Sequence, residues 1–219
     1  PENKKWVNLQ DISLNQATML ITATAQDNRI TGHRTTILKG HQALEYRKEH
    51  LQQDSLGNRQ EQIKEKLTVS NLKLTDTDDD FTTIKEDFDF VLESDQVDNR
   101  IYINPLLFPQ LTKNPFIQSE RILPVEFSYP YKVKLMCTLT LPEGYKIEEI
   151  PHTRTVKTED NKLLCRYAIQ RNGNTVVVNY SFSLDSSILP PEHYKQLQEI
   201  WHNAVEMNQS LIVLKKLSL

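Results

Sequence analysis

The run NKLLCRYAIQRNGNTVVVNYSFSL, residues 161–184, sets the tightest limit on what this chain can fold into. Leu163, Cys165, Tyr167 and Ile169 fall on every second position, so they share one face of an extended strand. A second alternating run follows Asn172-Gly173, and Asn-Gly between two such runs is the strongest short-range hairpin signal. The run KVKLMCTLTL (132–141) repeats the pattern with Val133, Leu135, Cys137, Leu139 and Leu141 on one face. Turn residues at Pro142–Tyr145 and Thr158–Asn161 separate these strands. An antiparallel sheet with one buried face is the expectation.

That face needs a cover, and LPPEHYKQLQEIWHNAVEMNQ (189–209) supplies one. Tyr194, Leu197, Ile200, Trp201, Ala204 and Val205 recur at helical spacing, and Pro190 and Pro191 suit the start of a helix. LIVLKK (211–216) reads as a closing strand. The first half is more mixed. ATMLITATAQ (17–26) and RITGHRTTIL (29–38) flank Asp27-Asn28 as a second hairpin. HQALEYRKEHL (41–51) reads as a short helix carrying Ala43, Leu44, Arg47, Lys48 and Leu51 at helical spacing, and RQEQIKEKLTV (59–69) as another. Strand character returns from LKLTD to RIYINP. The expected class is therefore mainly β (α+β), as two tandem β-rich units. Residues 1–104 form a mixed β/α unit. Residues 125–219 form an antiparallel, β-sandwich-like sheet packed on one amphipathic C-terminal helix.

Residues 105–124 lie between the two units. The wider stretch 102–131 holds five of the ten prolines, interleaved with Leu106, Leu107, Phe108, Phe116 and Ile122. Proline removes ladder hydrogen bonds, while the apolar side chains need burial, so this is a connector expected to pack on its neighbours. The charge balance shifts close to it, from 13 Lys/Arg against 18 Asp/Glu in residues 1–104 to 13 against 11 afterwards. A net charge of −3 over 219 residues gives no general attraction to nucleic acid. No apolar run is long enough for a membrane-spanning helix.

The connector and the segments after it also resemble a family. NPLLF, NPF, SER and PVEFSYPY, then LPEGYKIEEIP (141–151) and LPPEHYKQLQEIW (189–201), resemble a bacterial domain of unknown function. That domain follows the transglutaminase-like cysteine-protease core in its parent proteins. The resemblance is strongest over roughly residues 100–216, and WVNL (6–9) resembles the core's last strand. It implies a non-catalytic accessory region whose partner is the upstream core of the same polypeptide. The Cys, His and Asp of the core would lie before Pro1, so no position here inherits a catalytic role. It further implies a periplasmic or cell-surface setting.

The residues themselves offer few sites and no motif for a cofactor. Asp76, Asp78 and Asp80 alternate like the first ligands of a calcium loop, but Phe81 stands where that loop needs glycine and Asp87 where it needs glutamate. A solvated acidic turn explains them as well. Asp87 and Asp89 share a strand face opposite Phe88 and Phe90, a pattern open to paired-carboxylate chemistry but produced by any half-buried strand. Cys137 and Cys165 fit buried thiols better than a disulfide or a nucleophile, since neither has a neighbouring histidine. Tyr129, Tyr131 and Tyr145, near prolines on a β scaffold, are the candidate ligand platform. They support the alternative reading, an independent cell-surface module for glycans or peptides. Tyrosines buried between the halves would favour the packing role, and a wet aromatic groove the binding role.

Overall fold

The computed structural model describes residues 15–50, 66–76 and 82–217. The first half contains β1 (Gln16–Gln26), β2 (Arg29–Lys39), α1 (His41–His50), β3 (Leu67–Asp76), β4 (Thr83–Glu93), β5 (Asp95–Val97) and β6 (Arg100–Ile103). After the connector come β7 (Val125–Glu126), β8 (Tyr131–Thr140), β9 (Tyr145–Glu149), β10 (Arg154–Lys157), β11 (Leu163–Asn172), β12 (Thr175–Leu184) and β13 (Ile188–Leu189). A 3-10 turn at Pro191–His193 then leads into α2 (Tyr194–Gln209), and β14 (Ile212–Lys216) follows. The protein is mainly β, as its alternating runs require.

Both halves contribute to one eight-stranded sheet in the order β10-β11-β12-β8-β1-β2-β4-β3. Each half is antiparallel within itself, and they join where β1 runs parallel to β8, from Gln16 opposite Lys132 to Thr24 opposite Thr140. The closing strand does not extend this sheet. β14 lies between β6 and β9 in a four-stranded sheet, β5-β6-β14-β9, and so ties the chain's end to its first half.

Alternation divides the large sheet into two faces. Ala17, Met19, Ile21, Ala23 and Ala25 of β1 are buried, as are Leu135, Cys137 and Leu139 of β8 and Val176, Val178, Tyr180 and Phe182 of β12. The whole stripe expected on α2 is buried over this face, with Met207 and Asn208 added. Trp201 stands edge-on to Phe182 at 5.0 Å and to Phe116 of the connector at 5.1 Å, and it stacks on Phe127 at 6.0 Å. One helix thus clamps sheet and connector together. Gly32 is needed for close approach on the same face: a Cβ there would meet the Thr22 carbonyl oxygen at 2.5 Å and the Phe90 ring at 2.7 Å.

Three expectations change in detail. Leu67–Val69 of the proposed helix 59–69 lie in β3, paired with β4, while residues 59–65 lie outside the described residues, as does WVNL. Their β-compatible Leu-Thr-Val sequence finds a partner strand, and ladder pairing overrides the helical spacing. In α1 the buried residues are Ala43 and Tyr46, whereas Leu44 is 44% exposed. The β11–β12 hairpin turns one residue later than expected, with Asn172 opposite Thr175. This puts Gly173, at φ +58°, first of the two loop residues, where type II′ hairpins place glycine.

Candidate functional site

Two of the three tyrosines, Tyr129 and Tyr145, lie at contacts between the halves. The Tyr129 hydroxyl donates to Glu45 Oε2 on α1 and accepts from Gln42 Nε2 at 3.3 Å, while its ring stacks on His41 at 4.8 Å. Burial, followed by the hydrogen bond to Glu45, pushes this phenol well above the usual tyrosine range. Tyr131 packs edge-on to Tyr129 and stacks on Phe182, and burial raises it to about 12. Tyr145 donates to Asp27 Oδ1 in the β1–β2 turn at 3.1 Å, with the Lys216 ammonium 6.0 Å from its ring centroid. Tyr129 and Tyr145 each join a second-half ring to first-half residues, and Tyr131 packs behind Tyr129 on the core, so together they form a seam.

Asp76 ends β3 opposite Ile84, and Asp78 and Asp80 lie outside the described residues. Asp87 and Asp89 take the solvent face of β4, with Phe88 and Phe90 buried behind them. Asp87 accepts from Thr35 at 2.6 Å and pairs with Lys85 at 2.8 Å, and His33 Nδ1 lies 2.8 Å from Asp89. Asn71 Nδ2 donates to the other oxygen of Asp89 at 2.7 Å. Partial burial pulls Asp87 upward, but Lys85, Thr35 and His33 outweigh it and hold the carboxyl below its ordinary range. Asn71 and His33 do the same for Asp89. A carboxylate-pair mechanism needs one acid raised so that it holds its proton, and here both are lowered. This is a solvated ion network on a sheet face.

Cys137 and Cys165 are free and buried, and burial pushes both thiols to about 12. Cys137 is opposite Val178 and Cys165 opposite Phe182. The offset of four residues along β12 amounts to roughly 13 Å, well beyond disulfide reach. Cys165 instead contacts Met207 of α2, with 3.7 Å between the sulfurs. Among the described residues no group of three or more His, Cys, Asp or Glu is placed to hold a metal ion.

The connector presents a surface that its sequence only partly discloses. Leu106, Leu107 and Phe116 are buried, as expected of a packed segment. Ile117, Ile122 and Leu123 are 83%, 91% and 71% exposed. The loop carrying them is held from below. Asn114 Nδ2 donates to the Gln198 carbonyl at 3.0 Å, and Gln198 Nε2 donates to the Phe116 and Gln118 carbonyls at 2.6 and 3.3 Å. Asn208 Oδ1 accepts the backbone N–H groups of Gln110 and Leu111 at 2.8 and 3.1 Å. Periodicity finds the apolar stripe of α2 but not Gln198 or Asn208, polar residues whose partners lie about 80–100 positions away.

Fold and site together define a mainly β region built around a sheet, a clamping helix and an exposed apolar loop. The chain belongs to a family described as a domain of unknown function with a solved structure, DUF3858, whose model matches residues 99–214. No curated protein matches it. A crystal structure of a "putative protease" from Parabacteroides distasonis is similar at 15% identity and a TM-score of 0.45. The match covers 54% of this chain and 24% of that one, so the chain spans about a quarter of that protein's length. No described helix is long and apolar enough to cross a membrane.

Proposed function

We infer that this chain is a non-catalytic accessory region that packs on the catalytic core of a transglutaminase-like protein, with the connector loop as the contact. The observation carrying this reading is the exposure of Ile117, Ile122 and Leu123 on a loop tied to α2 at several points. Burying a large aliphatic side chain is worth about 1.5–3 kcal/mol, so a partner covering all three gains substantial affinity with little ordering cost. The choice of such a core as the partner rests on the resemblance of residues 102–131, 141–151 and 189–201 to the region that follows it. The tyrosine seam supports the same reading, since the rings proposed for glycan or peptide stacking are engaged within the chain. An exported setting belongs to this proposal and rests on the resemblance.

The test is to express the preceding core of the parent polypeptide separately and mix it with this chain. Size-exclusion chromatography with light scattering should show a one-to-one complex. Two separate peaks would remove the accessory role. Peptide or ester hydrolysis by this chain alone would overturn its non-catalytic character.

A further inference from the structure

The solvent face of the second half of the large sheet is neither flat nor electrically balanced. A groove of about 500 Å³ crosses β1, β8, β12 and β11 there. Register places Thr18, Lys134, Ser181 and Arg166 in one cross-strand row along its floor. The adjoining row on one side is Leu20, Met136, Asn179 and Ala168, and Lys132 lies in the row on the other. Two cations therefore flank a hydroxyl, with an amide and two exposed apolar side chains beside them; Leu20 and Met136 are 41% and 43% exposed.

Lys134 and Arg166 have no ion-pair partner among the described residues, and the carboxylate facing Lys132 is that of Asp185. Asp87, on the same sheet face, is three strands from β8, roughly 14 Å away, and is already engaged by Lys85 and Thr35. Such a distance exceeds the screening length in ordinary buffer. The strands β8 and β11 are about 10 Å apart, a gap that Lys and Arg side chains can close over one anion above Ser181. Guanidinium and ammonium groups converging on a hydroxyl form a natural oxyanion cradle.

We propose that this groove binds an organic oxyanion, its anionic head held between Lys134 and Arg166 over Ser181 and its apolar body laid on Leu20 and Met136. The site is separate from the connector loop, so it stands or falls independently of the accessory role.

The test titrates hexyl phosphate, inorganic phosphate and hexylammonium into the isotope-labelled protein and follows backbone amide shifts. Hexyl phosphate should give saturable shifts at residues 132–136, 166–168 and 179–181, weakening as salt is raised. Inorganic phosphate should move the amides around Lys134 and Arg166 with about tenfold lower affinity, and hexylammonium should move none. The double variant Lys134→Gln, Arg166→Gln should lose at least about tenfold in affinity at an unchanged melting temperature. No saturation up to about 20 mM hexyl phosphate, or equal binding by the double variant, would overturn the site. Equal affinity for hexyl phosphate and inorganic phosphate would overturn the role of Leu20 and Met136.

Discussion

Helices α1 and α2 cover different parts of the molecule by different means. α2 buries a continuous apolar stripe, with Leu197 and Ala204 almost wholly enclosed and Trp201 set among Phe116, Phe127 and Phe182. α1 buries only Ala43 and Tyr46 among its described side chains, and it is fixed by directional contacts. The Tyr46 hydroxyl donates to buried Glu86 at 2.5 Å, Arg47 donates to the Thr83 carbonyl at 3.2 Å, and Glu45 and His41 hold Tyr129. An apolar stripe is non-directional and contributes by area. A set of polar contacts contributes less in total but fixes orientation. α2 supplies cohesion, and α1 aligns the halves through the tyrosine seam.

Trp201→Ala should show the largest effect, because it empties the aromatic cluster that joins sheet, helix and connector. A loss of about 3–5 kcal/mol is expected in urea unfolding. A loss below 1 kcal/mol would mean that the clamp carries little of the fold's stability. Asn208→Ala comes next. It leaves the Gln110 and Leu111 amides without their acceptor, at about 1–3 kcal/mol, and amide exchange in the connector should quicken there first. Unchanged exchange at those two amides would show that the connector is held by its apolar anchors alone.

On the α1 side, Tyr129→Phe removes a hydroxyl but keeps the ring, so about 0.5–1.5 kcal/mol is expected. Chemical shift changes should spread to Glu45 and Gln42. Shifts confined to Tyr129 itself would break the idea of a seam. The smallest effect is expected at Asp160, in the β10–β11 turn. The Thr158 hydroxyl and the Lys162 backbone N–H hold its carboxyl down at about 2. Its folded-state pKa is lowered, so its contribution is present above the unfolded value of about 3.9 and is lost as pH falls through about 2. Carboxyl shifts followed by NMR should give a midpoint near 2, and a midpoint near 4 would show that the turn does not hold it.

The contrast between the helices also explains what could be read before the structure. The α2 stripe and the strands of β8, β11 and β12 were legible because apolar periodicity reports burial directly. α1 was legible as a helix, but its face was not. Leu44 is the hydrophobic choice and stays exposed, while Tyr46 is buried because Glu86, forty residues away, receives its hydroxyl. The parallel β1–β8 junction was invisible for a similar reason, since nothing local in either strand names a partner more than a hundred residues distant. Within the candidate site, the packed part of the connector was readable from Leu106, Leu107 and Phe116. Ile122 was grouped with them and points outward, because hydrophobicity marks a need for burial without saying by what.

The most direct test of the accessory role is to repeat the mixing experiment with the double variant Ile122→Asp, Leu123→Asp. Both side chains are exposed in this chain, so its melting temperature should stay where it is. The account predicts that the unaltered chain co-elutes one-to-one with the upstream core and that the variant elutes apart from it. Co-elution of the variant with undiminished affinity would contradict the account and place the contact elsewhere on the chain.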